Sequence, residues 1–133
     1  MSDESRFRVH VTFAHENALV LILEGDVDVS ASSAFKGVLE WALRQDVRQV
    51  IVDLSRSSFL GATALGVLVS GARRADGRTL TVVCGDGAIR RMMDVARLGI
   101  CLRVCGSLES ALAAGERDAA DPSRRVGGAE TST

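Results

Sequence analysis

The chain has 133 residues, enough for one domain of ordinary size and too few for two separate cores. Lys and Arg number 16 against 17 Asp and Glu, so the net charge is -1, without the basic excess of a nucleic-acid binder, and no apolar run approaches the roughly 18 residues of a membrane span. With 47% apolar residues, no Tyr and 3 Cys, the composition predicts a globular cytoplasmic domain with free thiols, and excludes a disulfide scaffold or a surface for stacking bases.

The start, Met1-Ser2-Asp3-Glu4-Ser5-Arg6, is polar and acidic and predicts no secretion signal. Phe7, Val9, Val11 and Phe13 alternate with polar residues, the pattern of a half-buried strand. A turn at His15-Glu16-Asn17 leads into the apolar run Ala18 to Leu23, a more buried strand closed by Gly25, and the two are expected to form a hairpin. Ser30, Ser32 or Ser33 is expected to cap a helix with Phe35, Val38, Leu39 and Ala42 inward. Val50-Ile51-Val52 is a short buried strand ending at Asp53. Leu65, Leu68, Val69 and Ala72 give the core stripe of a second helix, and Asp76-Gly77 a turn.

Leu80 to Val83 is the next strand, stopped by Gly85. Ile89, Met92, Met93 and Ala96 form a third helical stripe, stopped by Gly99. Ile100, Leu102 and Val104 make a last strand, and Ser107 caps a short helix through about Ala114. Residues 115–133 lack Leu, Ile, Phe and Met and contain the only proline, Pro122. Such a segment buries too little apolar area to offset its ordering entropy, so the domain is placed at 1–114 and a disordered tail at 115–133. The order ββαβαβαβα predicts an α/β fold with a largely parallel sheet, an antiparallel first hairpin and about four flanking helices. It does not predict the strand order.

Few residues offer chemistry. Asp26 and Asp28 follow a buried strand and precede a helix, where two carboxylates can hold Mg²⁺ or attack phosphorus. The stretch resembles the first motif of haloacid dehalogenase-like phosphohydrolases, with Gly85-Asp86, and Asp94 further on, as the later acidic motif. That chemistry needs a lysine between the acidic motifs, and the only one here, Lys36, falls inside the first predicted helix. The alternatives for Asp26 and Asp28 are solvated acids near a helix N-terminus and contacts for a partner. Cys101 and Cys105 share a predicted strand face with Arg103, but no His lies nearby, so no metal site is expected and buried thiols are. Cys84-Gly85-Asp86-Gly87 lacks the third glycine of a dinucleotide loop. Ser55, Ser57, Ser58 and Thr63 have no adjacent base, so loop and cap roles are expected. No catalytic residue and no cofactor is assigned.

The turn that holds these hydroxyls carries the most specific pattern. Asp53-Leu54-Ser55-Arg56-Ser57-Ser58-Phe59-Leu60-Gly61-Ala62-Thr63-Ala64-Leu65-Gly66-Val67-Leu68 resembles the signature of the STAS domain family of bacterial anti-sigma factor antagonists. Its pattern is an Asp-Leu-Ser strand end, a spacer, Phe with Leu or Met, then Asp-Ser-Ser/Thr-Gly-Leu-Gly. Leu23-Glu24-Gly25-Asp26-Val27-Asp28 resembles the stretch after that family's second strand, and the likeness covers roughly residues 7–114.

The resemblance implies a STAS-like mixed sheet and a regulator that docks on an anti-sigma factor, often a GHKL-type serine kinase. In that family the kinase phosphorylates a Ser at the start of the second conserved helix and docking is lost. Here Gly61 stands at the motif's Asp and Ala62 at its phosphoacceptor, with Thr63 at the next Ser/Thr, so the switch is expected to be absent or to use Thr63. Without phosphate, Thr63 is expected to bond a first-turn backbone N–H. The expected docking surface comprises Asp26, Asp28, Ser58, Gly61, Ala62, Thr63, Val67, Ser70 and Arg74, with Val67 exposed at its centre. Gly66 in the helix interior suits a close backbone approach by the sheet or a partner. The rival readings are a STAS subunit of a transporter or signalling assembly without a phosphoswitch, and a small Mg²⁺-dependent phosphatase using Asp26.

Overall fold

The computed structural model describes residues 7–120 apart from 16, 76, 77, 86 and 101. Glu16, the Asp76-Gly77 turn, Asp86, Cys101 and the tail from residue 121 therefore lie outside the described residues. Strands β1 (Arg8–His15) and β2 (Ala18–Glu24) form the expected antiparallel hairpin. Then follow α1 (Val29–Leu43), β3 (Gln49–Arg56), α2 (Ala62–Arg73), β4 (Thr79–Val83) and α3 (Ala88–Val95). A 3-10 turn at Leu98–Ile100 leads to β5 (Arg103–Cys105) and α4 (Leu108–Ala120). The sheet order is β1-β2-β3-β4-β5, with β2 to β5 parallel.

Consecutive parallel strands joined by right-handed crossovers place their connecting helices on one face of the sheet. The core follows that rule. Leu19, Leu21, Leu23, Val50, Val52, Leu54 and Val82 meet Phe35 and Leu39 of α1, Ala64 and Leu68 of α2, and Ile89 and Met93 of α3. The alternate residues Val20, Ile51 and Val83 meet Leu108, Ala111 and Leu112 of α4 on the opposite face. Covered on both sides, Ala18 to Leu21 are wholly buried, which is why the β2 run is continuously apolar.

The inner face of α1 is the expected one, with Phe35, Leu39 and Ala42 buried and Val38 packed at its side. The face of α2 is so only in part. Ala64, Leu68 and Gly71 are its buried residues, and Leu65, Val69 and Ala72 lie half-buried on the flanks. A Cβ added at Gly71 would stand 2.8 Å from Leu39 Cδ2, so the two helices cross closely at this glycine. Counting apolar residues hides such a face, because close crossing favours small side chains.

The last helix, expected to end at about Ala114, continues to Ala120. A buried amide helps anchor this helix: Gln49 Nε2 donates to the Ala111 carbonyl at 2.9 Å and to Thr81 Oγ1 at 3.4 Å. A Cβ at Gly115 would collide with the same Gln49 amide. The composition argument missed this because the anchor is polar. Gly115→Val is expected to cost about 1–3 kcal/mol, since Gln49 cannot move without losing its bonds. Chemical denaturation measures it, and an unchanged midpoint would contradict the packing. A chain ending at Ala120 is expected to melt within a few degrees of the full chain.

Candidate functional site

Two turns meet at the C-terminal ends of β2 and β3. Gly25, at a φ of 92° open to glycine at little cost, turns the chain out of β2. The following segment then runs beside the β3–α2 loop. Val27 N–H donates to the Phe59 carbonyl at 2.9 Å, and Gly61 N–H donates to the Val27 carbonyl at 2.9 Å. Side chains close the seam: Ser58 Oγ donates to Asp26 Oδ1 at 2.9 Å, and Ser57 Oγ to the Leu23 carbonyl at 3.1 Å. Beneath them Val27 and Leu60 are buried, so the surface stands on the main core.

The expected serine caps of α1 give way to Asp28. Its Oδ1 accepts from Ala31 N–H at 3.1 Å and from Ser30 Oγ at 2.7 Å. The Ser30 hydroxyl first, and then the Ala31 amide, hold this carboxyl below the usual aspartate range. Beside the turns, Arg56 Nη1 reaches Glu24 Oε2 at 2.8 Å and His10 reaches Glu24 Oε1 at 3.3 Å. The Arg56 hydrogen bond and then that of His10 hold Glu24 below its ordinary value.

Asp28→Ala is expected to lower the melting temperature by several degrees, and Asp28→Asn by much less, because asparagine is an equally good cap. A lowered carboxyl pKa contributes stability that is present above the unfolded value and lost as pH falls through the folded one. The gap between wild type and Asp28→Ala should therefore shrink in acid below about pH 3.9. Equal melting of the Ala and Asn variants at neutral pH would refute the cap.

The structure gathers Asp26, Asp28, Ser58, Gly61, Ala62 and Thr63 at these turns, with Asp26, Asp28, Ser58, Ala62 and Thr63 exposed. Gly61 caps α2 without a side-chain hydrogen bond. The hydrogen bond expected from Thr63 to a first-turn N–H is not among those formed by the cap. Val67 is corrected: it is half-buried and packs against the core, because the surface of α2 seated on the core is wider than the expected stripe. Gly66 is exposed with nothing within 4 Å of a Cβ position, so it makes no close approach to the sheet. Arg74 is committed to Glu40 of α1 at 3.1 Å, while Ser70 is exposed further along α2.

Two residues that the sequence reading left out of the surface dominate it. Phe59 is 50% exposed and Val29 is 74% exposed, one on each turn. Phe59 Cε2 lies 3.5 Å from the Cβ position of Gly61, beside the start of α2. Each turn thus exposes one large apolar side chain, with Asp26 and Asp28 on the first turn and the small residues that begin α2 beside the second. Of the acids in the phosphatase reading, Asp94 lines a different cavity between α3 and β5, Asp28 is engaged as a cap, and Asp86 lies outside the described residues. Among the described residues no group of three or more His, Cys, Asp or Glu could hold a metal ion. Cys84 is buried on the α1 face of the sheet and Cys105 half-buried on the α4 face. Burial pushes the Cys84 thiol up.

A family profile described as "Mlab, STAS domain" matches residues 11–108. The chain belongs to the STAS domain family. An anti-sigma factor antagonist from Mycobacterium paratuberculosis has a similar structure, with a TM-score of 0.77 and 22% identity over 83% of this chain and 94% of that one. The anti-sigma factor antagonist SpoIIAA in its unphosphorylated form gives 0.63 and 18%, over 83% of this chain and 98% of its own. The phosphorylated form of SpoIIAA, the Bacillus cell fate determinant, gives 0.62 and 18%, over 79% of this chain and 96% of its own. At these identities the solved structures establish the fold, a STAS-like α/β sheet led by an antiparallel hairpin. No curated protein matches the chain. Among the described residues no helix is long and apolar enough to cross a membrane.

Proposed function

We propose that this STAS domain is an anti-sigma factor antagonist that acts by protein–protein contact in the cytoplasm, without catalysis and without binding nucleic acid. Its partner is an anti-sigma factor or a GHKL-type serine kinase. The observation that carries the reading is the exposure of Val29 and Phe59, one on each turn, with Asp26 and Asp28 on the first and the N-terminus of α2 beside the second. Large half-exposed side chains on a rigid, hydrogen-bonded seam are suited to anchoring an interface.

Ala62 removes the hydroxyl that the family motif uses as its switch, and the antagonist is not controlled by phosphate at that residue. Incubation with the cognate kinase and ATP should leave its intact mass unchanged. Ala62→Ser should create a phosphoacceptor, and more strongly with Gly61→Asp. The added side chain fits, because a Cβ at Gly61 would meet the Val27 carbonyl at an ordinary 3.4 Å. A phosphoryl group mapped to Thr63 in the unmodified chain would restore the usual phosphoswitch and overturn this part of the reading.

Ala62 also favours a second reading, a STAS subunit of a transporter or signalling assembly that is never phosphorylated. The identity of the protein contacting Val29 separates the two.

A further inference from the structure

Strand β1 lies at the edge of the sheet, and among the described residues no strand pairs with its outer side. Its residues Val9, Val11 and Phe13 pair with Leu23, Leu21 and Leu19, so they share the face that carries α1. Val11 is nevertheless 43% exposed and Phe13 56% exposed. Glu40 of α1 reaches toward α2 through Arg74, and Trp41 follows it about 100° round the helix. Trp41 is itself 38% exposed. Proteins ordinarily protect an edge with proline, lysine or inward charge. Here Arg8 and His10 occupy one end, and Val11-Thr12-Phe13-Ala14 carries no charge.

We propose that β1 is a homodimer interface in which two copies pair antiparallel about a two-fold axis at Val11, joining their sheets into one. The occupant is argued from self-complementarity. A two-fold axis normal to the sheet keeps the helix-bearing faces of both copies on the same side, so cross-strand pairs join residues of the same face. Centred on Val11, the register sets Val9 opposite the partner's Phe13 and Val11 opposite the partner's Val11. On the other face Arg8 meets the partner's Ala14 and His10 the partner's Thr12. On the helix-bearing face Val9, Val11 and Phe13 meet only valine or phenylalanine, and no basic residue meets its like. Centring on His10 would oppose two histidines, and centring on Thr12 would set Val9 against the partner's His15. Like charges directly opposite destabilise a sheet, so the strand's pattern selects the first register.

This pairing leaves the docking turns open. Phe13 pairs with Leu19 at the start of β2, whereas the turns lie past Glu24 at its end.

The test combines oligomeric state with disulfide trapping in the full chain. Sedimentation of the wild type should give a dimer, and Val11→Arg a folded monomer by circular dichroism. Val95→Arg, at an exposed position of α3, should leave the dimer intact. Directly opposed residues lie about 4.5–5.5 Å apart between Cα atoms, within disulfide reach. Val11→Cys should therefore cross-link to itself under mild oxidation, and a mixture of His10→Cys and Thr12→Cys should cross-link to each other more than either does alone. A wild-type monomer at the highest soluble concentration would overturn the proposal, including the case in which residues 1–6 or a different protein cover the edge. So would a dimer that survives Val11→Arg, or trapping strongest at His10→Cys or Thr12→Cys alone.

Discussion

Phe35→Ala is expected to destabilise the domain by about 3–5 kcal/mol, the usual cost of deleting a fully buried ring. Phe35 is wholly buried on α1, in the cluster that joins α1 to the sheet and to α2. The helix keeps its own hydrogen bonds and the sheet its ladder, so the surroundings collapse only partly into the space left behind. For a chain of this size the loss should lower the melting temperature by roughly 10–20 °C. It would also consume a large part of the 5–15 kcal/mol that stabilises a typical domain. Urea unfolding with an unchanged slope measures it. A loss under about 1 kcal/mol would mean that α1 is not seated on the sheet through this ring.

The second large effect is on binding. Phe59→Ala should weaken capture of the partner by about 30-fold or more, in the range of an interface hot spot. Stability should change far less than in Phe35→Ala, because Phe59 is already half exposed. Asp26→Asn should weaken capture more modestly. It removes a border charge while keeping an acceptor for Ser58. Affinity measured for each variant by calorimetry, with Val95→Ala as a control, separates the surface from the rest of the molecule. Wild-type affinity in Phe59→Ala would contradict an interface centred on these turns.

The architecture was legible where burial is periodic. The alternation of β1, the continuous apolar run of β2 and the Phe35, Leu39 and Ala42 stripe of α1 each report a local pattern that the tertiary fold preserves. Strand order was not legible, because a parallel sheet of sequential or crossing strands has the same local pattern. The small residues Ala64 and Gly71 in the buried line of α2 were missed because the crossing there is set by Gly71 against Leu39, a contact between residues 32 positions apart. Val67 packs at the edge of that face and not outside it. Asp28 as the cap of α1 was obscured by the three serines that follow it, each a good cap in isolation. The motif brought the two turns of the site to attention. The exposure of Phe59 and Val29 came only from how the Val27–Leu60 bridge aligns those turns.

The proposed function has these turns in contact with an anti-sigma factor or serine kinase. Photo-cross-linking in the native host tests this contact, with p-benzoylphenylalanine in place of Val29 and, as a control, in place of the still more exposed Val95 on α3. The predicted result is an adduct from position 29 only, identified by mass spectrometry as an anti-sigma factor or GHKL-type kinase. An adduct formed equally from position 95, or a position 29 adduct identified as a transporter ATPase, would contradict it.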